Sequence, residues 1–132
     1  MKSISKYLNI DSVHDCNMTG IIVSEEETLN LIISDLEGKA KNILFIETKY
    51  CRFDDFRLGN IILSLEVYDD YDIQIIDDYL CYILDIDKKD LSKDFVLKLK
   101  NAIYSKELIL VVLEPSYGAM GVIICKDAKL KE

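Results

Sequence analysis

Leu108-Ile109-Leu110-Val111-Val112-Leu113 is the longest apolar run in the chain, and Val122-Ile123-Ile124-Cys125 follows it after a short polar interval. The first run is far too short for a membrane span and rich in β-branched residues, so it fits a buried strand. Pro115 has no N–H for a ladder and is expected to stop that strand. Ser116 to Gly121 then reads as a turn, with glycine supplying a positive φ, and Val122 to Cys125 returns as the last strand of a hairpin. Gly118-Ala119-Met120-Gly121 shares its letters with a nucleic-acid-binding Gly-x-x-Gly loop. That loop needs helices around it and a basic surface. The lysine and hydroxyl of a phosphate-binding P-loop are also missing.

Upstream of the hairpin, Ser92 is expected to cap a helix over Lys93 to Ser105, with Phe95, Val96, Leu99, Ala102 and Ile103 on one face. Asp87 to Leu91 reads as a polar turn. Ile73 to Ile76 and Tyr79 to Ile86 read as strand segments broken at Asp77-Asp78. Ile76, Leu80, Ile83 and Leu84 also fit helical spacing, so a helix over Ile76 to Leu84 is the alternative. Asp69-Asp70-Tyr71-Asp72 is a turn. Ile61 to Tyr68 alternates as a strand, with Leu63, Leu65 and Val67 facing one way. Tyr50 to Leu58 is a loop or irregular strand that ends at Gly59-Asn60. Asn42 to Thr48 is a strand with apolar residues on both faces.

Nearer the start, Ser24-Glu25-Glu26-Glu27 spells a capping box. Leu29, Ile32, Ile33 and Leu36 follow at helical spacing and Gly38 supplies a terminator, which predicts a helix. Gly20 to Val23 is a short strand. Residues 1–19 hold a helix or a loose arm, and residues 127–132 a frayed tail. Strands in runs, rather than strands alternating with helices, indicate an α+β fold. The expectation is a single globular domain over residues 1–132. Its sheet is mixed or mainly antiparallel, with two main helices packed on one face.

The charge is uneven. Asp54 to Asp94 holds twelve acidic residues and four basic ones, so its balance of −8 equals that of the whole chain. Tyr68, Tyr71, Tyr79 and Tyr82 lie in the same stretch, with Tyr50 at its edge. Carboxylates interleaved with tyrosines suit contact with something positive. The acidic balance argues against a nucleic-acid partner, which needs a lysine and arginine patch, and against an anionic membrane. No secretory signal opens the chain, which is expected to be soluble and cytoplasmic. Cys16, Cys51, Cys81 and Cys125 are scattered with no Cys-x-x-Cys pair, so free thiols are expected rather than disulfides or zinc.

Each candidate constellation has a plainer reading. Asp85-Ile86-Asp87 opens like a calcium loop, but Asp90 and Val96 occupy the positions where an EF-hand needs glycine and a bidentate glutamate. His14-Asp15-Cys16 sets a base beside a nucleophile, yet such partners meet through the fold rather than as neighbours. Asp54-Asp55 and Asp77-Asp78 are poorly placed to share a proton if they lie on strands, where neighbours point to opposite faces. No metal, cofactor or catalytic set is therefore expected.

A small acidic domain without an active site is most economically a protein-binding module. The leading expectation is an immunity protein or antitoxin that neutralises a cognate basic, nuclease-type toxin. The expected contact residues are Asp69, Asp70, Tyr71, Asp72, Asp77, Asp78 and Tyr79. A generic acidic adaptor is the second reading, and a small enzyme using its paired carboxylates the third.

Overall fold

The structure is a computed structural model and describes residues 13–68 and 72–131. The chain forms β1 (Asn17–Val23), β2 (Leu29–Ser34), β3 (Ala40–Ile46), β4 (Tyr50–Asp54) and β5 (Ile61–Tyr68). Helix α1 (Ile73–Leu84), a 3₁₀ turn (Lys88–Ser92) and helix α2 (Asp94–Tyr104) follow. The chain returns to the sheet as β6 (Ile109–Tyr117), β7 (Met120–Cys125) and β8 (Asp127–Lys131). All eight strands lie in one sheet, in the order β4-β7-β6-β5-β1-β2-β3-β8. Every pairing is antiparallel. The fold is α+β.

The sheet curls around its own core. β7 and β8 are consecutive, yet one pairs with β4 and the other with β3, at opposite edges of the strand order. Two bonds hold the crossing: Lys126 N–H to Ile46 O at 3.0 Å, and Lys49 N–H to Ile124 O at 2.8 Å. Met18, Leu31, Ile33, Ile43, Phe45, Leu65, Val111, Leu113, Ile123 and Ala128, drawn from seven strands, form one buried cluster. A second cluster joins Ile76, Leu80 and Ile83 of α1, Val96, Leu99 and Ile103 of α2, and Leu110, Val112, Val122 and Ile124 of the sheet. Alternate residues of β6 thus enter different cores, which is why an unbroken apolar run is needed there.

Several elements differ from the sequence expectations. The segment Ser24–Gly38 is strand β2 with a tight turn on each side rather than a helix. Ser24 N–H donates to Thr28 O at 2.9 Å, and Ser24 Oγ accepts Thr28 N–H at 3.3 Å. Leu29, Leu31 and Ile33 are buried at period two, while Leu36 is 83% exposed. Asp35 builds the next turn: its carboxylate accepts the N–H groups of Glu37 and Lys39, which hold its pKa below the usual value, and Gly38 has φ +83°.

Ile73–Leu84 is one helix and not two strand segments. Ile76, Leu80 and Ile83 pack inward at helical spacing. Ser92 does not cap α2; Lys93 holds that position, and Ser92 Oγ donates to Lys89 O at 3.3 Å. On α2, Val96, Leu99 and Ile103 are buried, but Phe95 faces solvent. Leu63 is exposed because the β5 register shifts on both sides of Ile62, which takes the buried place. β6 runs through Pro115, since its pairing with β7 has already ended at Leu113 and no second ladder needs that N–H. Residues 127–131 are not a frayed tail but the edge strand β8. Of the expected N-terminal helix or arm, residues 1–12 lie outside the described residues, and residues 17–19 begin β1.

Candidate partner-binding surface

The expected contact residues separate once the fold is in place. Asp69, Asp70 and Tyr71 lie outside the described residues. Asp72 precedes α1, and its carbonyl accepts Ile76 N–H at 2.8 Å. Asp77 lies 2.9 Å from Lys100 Nζ, with both side chains largely covered, and ties α1 to α2. Tyr79 packs its ring 5.6 Å from that of Tyr68 and donates its hydroxyl to Glu114 Oε1 at 3.1 Å. Burial, with Glu114 adding, raises the pKa of Tyr79. Asp78 is exposed, 3.7 Å from Lys88 Nζ. Asp77 and Tyr79 therefore join elements of the fold, while Asp78 points outward.

Helical geometry explains the split. Ile76, Leu80 and Ile83 mark the buried stripe of α1. Gln74, Asp78 and, just past its end, Asp85 fall on the opposite side and are exposed, with exposed Ile75 flanking them. Asp85 closes α1 in the left-handed conformation, φ +54°. Asp87 and Asp90 cap the 3₁₀ turn reciprocally, so carboxylates with calcium-loop spacing serve backbone N–H groups instead. Among the described residues no group of three or more His, Cys, Asp or Glu is placed to hold a metal ion.

Tyr82 carries this surface across to the sheet edge. Its hydroxyl donates to Asp54 Oδ2, and its carbonyl accepts Arg52 Nη1 at 2.7 Å. The Arg52 guanidinium lies over the Tyr82 ring at 4.2 Å, and its Nε is 3.4 Å from Asp54 Oδ2. Burial, then the bond to Asp54, pushes the Tyr82 hydroxyl up to about 12. Asp54 and Asp55, neighbours in sequence, take different cations: Asp55 accepts Arg57 Nε at 3.0 Å and Nη2 at 3.1 Å. Among the described residues of the acidic stretch, Asp54, Asp55, Asp77, Asp78 and Asp90 lie within 4 Å of a basic side chain. Arg52 and Lys100 come from outside the stretch and are brought to it by the fold, whereas Arg57, Lys88 and Lys93 already count in its balance of −8.

The sequence reading passed over the loop that follows Asp54. Phe56 is 47% exposed and Leu58 fully exposed, yet the loop is firmly held. Asn60 is completely buried at its base. Its Oδ1 accepts the N–H groups of Arg57 at 2.8 Å and Ala119 at 3.0 Å. Its Nδ2 donates to the carbonyls of Arg57 and Met18. Arg57 also reaches over the exposed Tyr117 ring at 5.4 Å. The available signal was two apolar residues set among Asp, Arg, Gly and Asn in a turn-like segment.

The remaining constellations do not assemble. His14 is exposed, with Nδ1 2.7 Å from Leu63 O, while Cys16 is buried in the first core. Among the described residues the cysteines form no disulfide, and burial pushes the Cys125 thiol up to about 12. A shallow cavity of about 210 Å³ lies between the β1–β2 and β3–β4 turns, lined mainly by apolar atoms of residues such as Val23, Leu29, Tyr50 and Cys51. Lys49 and Glu27, 3.4 Å apart, are its charged lining residues. No helix among the described residues is long and apolar enough to cross a membrane. The chain matches no protein-family model, no curated protein and no solved structure.

Proposed function

We propose that the chain is an acidic protein-binding module, specifically an immunity protein or antitoxin that holds a cognate basic toxin inactive in the cytoplasm of the producing bacterium. One observation carries the reading. Asp78 and Asp85 stand exposed on the outward side of a helix fixed to the sheet by three buried residues, with apolar Ile75 exposed beside them. Carboxylates on a rigid element steer a cationic partner and cost little ordering when it docks. The net charge of −8 favours the same sign of partner.

The test is association kinetics at two salt concentrations against the product of the neighbouring reading frame. The double variant Asp78→Lys, Asp85→Lys should associate more slowly at low salt and show a weaker salt dependence, with an unchanged melting temperature. Association as fast as the parent's at low salt would reduce these carboxylates to a solvated face.

A further inference from the structure

We infer that the β4–β5 loop, residues 55–60, is the apolar anchor of the partner interface and seats Phe56 and Leu58 in an apolar pocket of a cationic protein; this rests on the reading just given. Phe56, Leu58, Ile61 and Tyr117 are all exposed large apolar side chains. Ile61 pairs with Tyr117 across β5 and β6, and Arg57, which stands between Phe56 and Leu58 in sequence, lies over the Tyr117 ring. A cluster of this kind marks an interaction site more often than isolated apolar residues do.

The loop is also preorganised. Asp55 holds φ +65°, a conformation costly for most residues, and its carboxylate is forked by Arg57. The buried Asn60 carboxamide then pins the loop to β1 and to the β6–β7 turn. Fixing an exposed aromatic and a leucine in this way lowers the entropy lost on binding, as expected for the centre of an interface. Arg52 and Arg57 lie 3.4 Å and 3.0 Å from Asp54 and Asp55, closer than the 3.7 Å between Lys88 and Asp78, so the loop contributes contact area more than steering. The Tyr82–Asp54 hydrogen bond ties α1, the helix that carries Asp78, to the residue just before the loop. An apolar centre beside an acidic flank fits a basic protein, and it repels an anionic bilayer.

The experiment measures dissociation constants for the product of the neighbouring reading frame against the parent, Phe56→Ser, Leu58→Ser and the control Leu36→Ser. Leu36 is equally bare but belongs to the β2–β3 turn. Each loop variant should weaken binding at least about tenfold, mostly through faster dissociation, while Leu36→Ser binds as the parent does. All four proteins should melt together. If the loop variants bind like the parent while charge reversal on α1 still slows association, the anchor is wrong and the acidic reading survives. If the parent does not bind at all, both fall. Flotation of the parent with phosphatidylcholine vesicles, abolished by Leu58→Ser, would assign the loop to a lipid surface and overturn the protein partner.

Discussion

Asn60 Oδ1 accepts the backbone N–H of Ala119 at 3.0 Å, joining the base of the β4–β5 loop to the β6–β7 turn across 59 positions of sequence. Gly118 makes the approach feasible. It has φ +85°, and a Cβ there would fall on the Asn60 carboxamide and on Gly59 O. Asn60→Ala would strand the amides of Arg57 and Ala119, at a cost of about 3 kcal/mol. Gly118→Ala should cost a similar amount, about 2 kcal/mol or more, from backbone strain and the clash. Urea denaturation of both variants checks this; parent-like midpoints would mean that the node contributes nothing.

Gly121 pairs with Phe53 across β4 and β7, and any Cβ at Gly121 would fall on the Phe53 ring. Gly121→Ala should destabilise by about 1–3 kcal/mol, the usual cost of overpacking. In a Phe53→Leu background the same change should cost less. A double-mutant cycle measures the coupling, and additive effects would show that the ring and the glycine are independent.

Val111 is fully buried on β6 in the first core. Val111→Asp would place an unpaired carboxylate there, and no soluble folded protein should be recovered. A native-like melt would remove β6 from the centre of the sheet.

The half-buried tyrosines set an alkaline limit. Tyr82 is pushed from its ordinary value of 10.0 up to about 12, and Tyr79 is also raised. The fold therefore favours their neutral hydroxyls. Their stabilisation is complete below the unfolded value and is lost as pH rises from about 10 through the folded values. Tyr82→Phe should show a shallower alkaline fall in urea midpoint than the parent, and one fewer late-ionising tyrosine by absorbance. Parallel falls would exclude Tyr82 as a source.

Ser24→Ala measures how the first hairpin was disguised. A helix N-cap serine is worth about 1 kcal/mol, whereas an exposed turn hydroxyl accepting one amide at 3.3 Å should be worth about half that or less. Denaturation midpoints separate the two. The disguise arises because Leu29, Ile32, Ile33 and Leu36 fit a helical period while Leu29, Leu31 and Ile33 fit a strand, and a run this short satisfies both. Pairing with β1 and β3 decides the matter, and no local pattern reveals those partners.

Ile73–Leu84 shows the reverse: strand segments are the first expectation and a helix over Ile76 to Leu84 the alternative, and the helix is what forms. Its isoleucines and tyrosines favour strands, but Ile76, Leu80 and Ile83 had a second apolar surface to cover on β6 and β7. The β6–β7 hairpin was legible because its run is long for a strand and its turn carries glycine. Of the candidate surface, the acidic bias was legible, but its offset was not. Lys100 meets Asp77 only once α1 and α2 are side by side, and Arg52 meets Tyr82 only through the edge of the sheet. Phe56 and Leu58 read as ordinary loop residues because only burial tells an exposed apolar side chain from a covered one.

The pairing of β3 with β8 bears on how the chain folds as it leaves the ribosome. β1, β2 and β3 can form a meander early, since their contacts are local. β3 must then wait with an open edge until β8, which follows it by some eighty residues, arrives to cover it. β4 waits in the same way for β7. Both edges of the nascent sheet stay open until β7 and β8 emerge, with apolar residues on each strand, which is the window in which such chains pair with one another. Closing two long-range ladders last also predicts slow folding for a domain of this size. Lys41 on β3 and Lys129 and Lys131 on β8 give this late-closing edge the charge that discourages a stranger from pairing first.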